Sequence, residues 1–153
     1  MTTLRRVAGE PTWLLGRVNA RAQRLLGEAF GAEGFRGYHF RLLAALDEHG
    51  AQSQAELGRL TGIDRSDIVA TVNDLVGQEL ATRAPDRSDR RRNVVTLTPG
   101  GADSLERLDA ALHGVQDSLL SPLTRAERTT FIALLEKVAI DDQAQDLGRG
   151  GSG

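Results

Sequence analysis

Along most of this chain apolar residues recur at intervals of three and four, the spacing of a helix with one buried face, and in a single stretch the interval drops to two. From Pro11 to about Phe30, Leu14, Val18, Ala22, Leu25 and Leu26 share one side, and Pro11 suits a first helical turn. A second helix is predicted from about Gly37 to His49, because His39, Leu42, Leu43 and Leu46 form an i, i+3, i+4, i+7 set and Gly50 follows as a terminator. Ser53-Gln54-Ala55-Glu56 has the form of a capping box and opens a short helix carrying Leu57 and Leu60, broken at Thr61-Gly62. Asp64 is placed to cap the next helix, whose inward face is Ile68, Val72 and Leu75. Two helices joined by a short glycine-containing turn make a helix-turn-helix.

Past Leu80 the period changes. LATRA (80–84) and NVVTL (93–97) alternate as half-buried strands do, and the segment between them is too polar to bury, so they predict a hairpin, or wing. Thr98-Pro99 then starts a helix with a threonine cap and proline at the first helical position. Its Leu105, Leu108, Leu112, Val115 and Leu119 lie 3, 4, 3 and 4 apart, the narrow seam of helix-on-helix packing in coiled-coil fashion. Thr124-Arg125-Ala126-Glu127 is a further capping box, opening a last helix with Phe131, Leu134, Leu135 and Val138. The expected fold is mostly α with a small β-hairpin wing: a winged helix-turn-helix lobe plus a helical dimerisation region.

Composition narrows the chemistry. There is no cysteine among the 153 residues, which excludes disulfides, thiolate metal sites and thiol redox sensing. The opening MTTLRRVAG lacks the apolar run of a secretory leader and no apolar stretch reaches membrane-spanning length, so a cytoplasmic protein without a membrane partner is expected. GRGGSG (148–153) is flexible by composition. His39, His49 and His113 are far apart and none pairs at metal-ligand spacing, and there is neither G-x-S-x-G nor a phosphate-cradling glycine loop. No enzyme, metal or cofactor is expected.

Charge is concentrated in one place. The formal net charge is −2, yet between Arg83 and Arg92 five arginines face only Asp86 and Asp89. A generic charge run is a solvated turn. Here every cation is Arg, whose planar fork of donors suits phosphates and base edges, and the run sits at the tip of a hairpin that follows a helix-turn-helix.

The stretch DRSDRRRNVVTLTPGG (86–101), in an order of two helices, helix-turn-helix, wing and two long helices, resembles the MarR family of winged-helix transcriptional regulators over roughly residues 10–140. The resemblance implies one domain over 10–145, with the winged lobe at about 36–97, dimerisation helices at about 10–30 and 98–140, and a flexible tail at 146–153. It implies a homodimer on double-stranded DNA, with the 105–119 seam and the 131–138 face in the dimer interface. By position Asp89 is the orienting aspartate of the wing and Arg91 the arginine that enters the minor groove, with Arg87, Arg90 and Arg92 on phosphates. In the recognition helix the first pair is Ser66-Asp67, where the family often has Ser-Thr, and Asn73 stands where aspartate is common. The expected readers there are Arg65, Ser66 and Asp67.

The resemblance also implies a small-molecule effector, often a phenolic or other aromatic carboxylate. Trp13 and Arg17 are i, i+4 on the first helix, and Phe35, Arg36, Tyr38 and His39 cluster at the start of the second. Arg17 or Arg36 could pair a carboxylate. Against this stand plainer readings: His39 as a satisfied core residue, and Trp13 with Arg17 as a cation–π contact. The expected function is thus a homodimeric repressor of a near-palindromic operator, released by a ligand. The alternatives are a winged-helix module that docks protein, or a small-molecule-binding protein.

Overall fold

The computed structural model describes residues 4–148. Residues 149–153, most of the glycine-rich ending, lie outside the described residues. In chain order the elements are α1 (Pro11–Ala32), α2 (Gly37–His49), β1 (Gln52–Ser53), α3 (Gln54–Thr61), α4 (Arg65–Gly77), β2 (Ala81–Pro85), β3 (Asn93–Leu97), α5 (Pro99–Leu119) and α6 (Arg125–Gly148). They fall into two compact units, Met1–Val115 and Gln116–Gly153, so the division comes inside α5 and not at the end of the wing. The last helix runs to Gly148, through residues 146–148 that the expected domain division places in the tail.

The core of the first unit is made by the faces that periodicity selects. His39, Leu42, Leu43 and Leu46 of α2 are all buried, as are Leu57 of α3 and Ile68, Val72 and Leu75 of α4. Phe30 stacks on Phe40 with ring centroids 5.3 Å apart. Val95, at the centre of β3, is fully buried among them.

Local signals hold each element in place. Ser53 Oγ accepts the Glu56 N–H at 3.2 Å, while the Glu56 carboxylate turns to Arg59, so the box at α3 is half made. Gly62 ends α3 in the left-handed region at φ 67°, which a side chain would strain. Thr124 and Glu127 make both bonds of their box, at 2.7 and 3.3 Å. Thr98 Oγ1 accepts the Gly101 N–H at 3.0 Å and donates to the Glu79 carbonyl at 2.7 Å. The expected cap at Asp64 is not formed: its backbone is extended as an N-cap requires, but its carboxylate makes no capping bond.

Two features depart from the sequence expectation. The wing is a three-stranded antiparallel sheet in the order β1-β3-β2, with Gln52 opposite Val95 and Pro85 opposite Asn93. β1 is two residues long and is created by pairing with β3, so no alternation announces it. The second concerns the seam of α5. Leu108 lies in the core of the first unit and Leu105 and Leu112, half-buried, pack against it, so the lobe itself buries part of this stripe. Spacing of 3 and 4 specifies a narrow buried stripe and is silent about which chain buries it. The apolar faces that do stay open are Trp13, Leu14, Leu15 and Val18 on α1, and Ile132, Leu134, Leu135 and Val138 on α6.

Candidate functional site

The arginine-rich segment is folded by its own aspartates. Asp86 N–H donates to the Arg92 carbonyl at 2.7 Å, one step beyond the last strand pair, and closes the loop. Asp86 Oδ1 accepts both the N–H and the hydroxyl of Ser88, each at 2.9 Å. Asp89 Oδ1 accepts the Arg91 N–H at 3.0 Å, and its carbonyl accepts the Arg92 N–H at 3.0 Å. Asp89 therefore fixes the main chain at Arg91 and Arg92. The Ser88 N–H, with its hydroxyl and the nearby Arg92 guanidinium, holds the Asp86 carboxyl below the usual carboxylate range.

Because the two carboxylates are occupied with backbone and Ser88, they leave the cations uncommitted. Among the described residues the guanidinium groups of Arg87, Arg90 and Arg91, and that of Arg65 at the start of α4, take part in no hydrogen bond or ion pair. Unpaired, exposed arginines held on a closed turn are a pre-ordered site for anions, since no internal partner must first be displaced.

These arginines divide between two places. Arg65, Arg91 and Arg92 line one cleft of about 580 Å³, together with Gln54, Glu56 and Arg59 of α3. Arg87 and Arg90 lie with Pro85 and Asp86 at a second depression of about 350 Å³ on the wing. The structure thus joins the first turn of α4 to the wing, two segments some twenty-five residues apart in sequence. It also adds Gln54 and Arg59, which nothing in the local pattern of α3 singled out; Arg59 reads there as a solvated partner of Glu56. A four-arginine cleft with one acidic side chain is suited to a polyanion.

On α4, Arg65 and Ser66 are exposed and Asp67 is half-buried. The helix is held from two sides near its C-terminal end. Arg83 of β2 donates to Asn73 Oδ1 at 2.6 Å. Asp74 accepts from His39 Nε2 at 3.2 Å and from Arg36 at 3.4 Å.

The six residues of the expected small-molecule set do not share one environment. Trp13 and Arg17 are exposed on α1, and Arg17 makes no ion pair or hydrogen bond among the described residues. Phe35 and His39 are buried and meet edge to face, with ring centroids 5.7 Å apart. Arg36 is exposed but engaged with Asp74, and the half-buried Tyr38 lies under the Arg41 guanidinium at 5.1 Å.

The comparisons with known proteins agree with this architecture. A model of the MarR family matches residues 34–92, from the entry to α2 to the end of the wing loop. The chain is 35% identical over 104 residues to the HTH-type transcriptional repressor NicR of Pseudomonas putida, a match that spans 68% of this chain and 66% of that protein, just under two thirds. A solved structure of a probable transcriptional regulator from Pseudomonas aeruginosa superposes with a TM-score of 0.75 at 31% identity, covering 86% of this chain and 98% of that one. BpsR of Bordetella bronchiseptica, whose structure concerns regulation of DNA binding by 6-hydroxynicotinic acid, gives a TM-score of 0.75 at 26% identity, covering 86% and 94%. On the shared fold, the matched wing segment and this identity, the chain belongs to the MarR family of transcriptional regulators.

Proposed function

We propose that this protein is a homodimeric DNA-binding repressor of a near-palindromic operator, relieved by a small aromatic or phenolic ligand. The observation that carries the DNA reading is the set of uncommitted arginines, Arg65 and Arg91 in the cleft and Arg87 and Arg90 on the wing. In this reading Arg91 enters the minor groove with Asp89 fixing its backbone, and Arg87, Arg90, Arg92 and Arg59 take phosphates. Arg65, Ser66 and Asp67, on the first turn of α4, face the major groove. The open apolar faces of α1 and α6 support a homodimer, because exposed stripes of this kind are where subunits pair. NicR is named a repressor, and the DNA binding of BpsR is regulated by an aromatic acid. By analogy the effector here is a ligand of that class. A carboxylate would find Arg17 free to pair, whereas Arg36 and both nitrogens of His39 are already engaged. The effector acts by binding the DNA-incompetent arrangement of the dimer more tightly than the competent one.

The test is binding to the DNA upstream of the protein's own gene as salt is raised. Neutralising several phosphates gives a steep loss of affinity between low and physiological salt. Arg91→Ala costs about 1–3 kcal/mol of binding with folding intact. A flat salt response, or full affinity in the Arg91 variant, favours the protein-docking alternative.

A further inference from the structure

We propose that Val69 and Ala70 make the recognition helix a reader of thymine 5-methyl groups. The inference rests on the DNA-binding reading above and names what that surface recognises.

The outward face of α4 carries Arg65, Ser66, Val69, Ala70 and Asn73, all exposed and spaced three or four apart. Polar reading capacity on this face ends early. Asn73 Oδ1 already accepts from Arg83 at 2.6 Å, which ties the side chain to β2 and competes with the bidentate pair by which an asparagine reads adenine. Asp74 is held by His39 and Arg36. Thr71 is buried, with its hydroxyl on the Asp67 carbonyl at 2.7 Å.

What remains at the centre of the face is apolar. Val69 is 38% exposed, a β-branched side chain open to water on a helix where Ile68, Val72 and Leu75 are fully buried and Val76 is half-buried. Arg65, four residues before Val69 on the same face, opens onto the four-arginine cleft. An apolar centre beside a cationic rim complements a polyanion that itself shows apolar groups. In the major groove of duplex DNA that group is the thymine 5-methyl. Cytosine and the purines offer polar edges there, which Val69 and Ala70 would strip of water without replacing a hydrogen bond.

A duplex selected by the full-length protein from a random double-stranded library is the probe. Each thymine is then replaced singly by deoxyuridine, which removes the methyl and keeps every hydrogen-bonding group. We expect one or two positions per half-site where the wild-type Kd rises about fourfold, the worth of one buried methyl. In Val69→Ser, re-measured on the same duplexes, that thymine-to-uridine ratio falls towards one while the steep salt dependence persists. Wild-type affinity for every deoxyuridine duplex overturns the proposal, and so does unchanged discrimination in the Val69 variant. If no duplex is enriched at all, the DNA-binding reading fails and this one falls with it. Enrichment with steep salt dependence but no methyl effect leaves that reading standing and removes this one alone.

Discussion

His39 donates from Nε2 to the Asp74 carboxylate at 3.2 Å while its Nδ1 accepts the Arg36 backbone N–H at 2.9 Å. The second bond fixes the tautomer. A nitrogen that accepts carries no proton, so the hydrogen of the neutral ring lies on Nε2 and points at α4. The ring is 5% exposed, and a buried N–H that loses its acceptor costs about 1–3 kcal/mol. Asp74 is half-exposed and water can partly replace it, so Asp74→Ala should cost nearer 1 kcal/mol, read as a lower urea midpoint. Asp74→Asn keeps an acceptor and should lose less than half of that. Equal losses in the two variants would mean that charge, and not the hydrogen bond, holds α2 to the recognition helix.

Gly101 is placed in the first turn of α5 by a contact, not by backbone conformation. A β-carbon there would lie far inside contact distance of the Leu80 carbonyl oxygen and 2.6 Å from Leu97 Cδ1. The Leu80 carbonyl is itself fixed, because it accepts the Thr98 N–H at 3.1 Å. Gly101→Ala therefore forces α5 away from the base of the wing. Overpacking of this kind outweighs the gain in helix propensity, for a net loss of about 2 kcal/mol and a melting temperature roughly 4–8 °C lower. Gly100 is the control: a β-carbon on it meets nothing nearer than 3.7 Å, so Gly100→Ala should be neutral or slightly stabilising. Similar melting curves for the two variants would remove the steric account.

These two cases mark how far the sequence could be read. Every helix was legible, because a face such as His39, Leu42, Leu43 and Leu46 repeats at 3.6 and depends on nothing distant. The wing was legible from its change of period, Thr98 from the proline that follows it, and Thr124 from the glutamate three positions on. Gly101 could be noticed as the second of two glycines after Thr98-Pro99, but its cause lies in Leu80, twenty-one residues earlier. β1 was invisible because its pairing partner defines it. The α5 seam was visible as a stripe and ambiguous as to what covers it. In the candidate site the arginines of the wing stood out by density, whereas Gln54 and Arg59 join them only once α3 and the wing are brought together.

Asp86 makes the wing loop sensitive to acid in a defined sense. Its folded-state carboxyl is held below its ordinary value, first by the Ser88 N–H and then by the Ser88 hydroxyl, with the Arg92 charge adding to them. A depressed folded value means that the ionised form favours the folded loop. That contribution is complete at any pH above the ordinary carboxylate range and disappears as pH falls through the depressed value. At neutral pH the loop geometry should thus be constant, and acidification should loosen it below the point where a free aspartate has already begun to protonate. The Ser88 amide proton, followed by NMR, reports this directly, since the Ser88 N–H donates to Asp86 Oδ1 at 2.9 Å. Its titration should have a midpoint below the free-aspartate range. Ser88→Ala, which removes the hydroxyl donor and keeps the N–H, should bring the midpoint only part of the way back. A midpoint in the free range for the wild type would show that the Asp86 carboxylate does not fold the turn. Such a result would also weaken the claim that this aspartate is engaged with the loop and so leaves the wing arginines open to an outside anion.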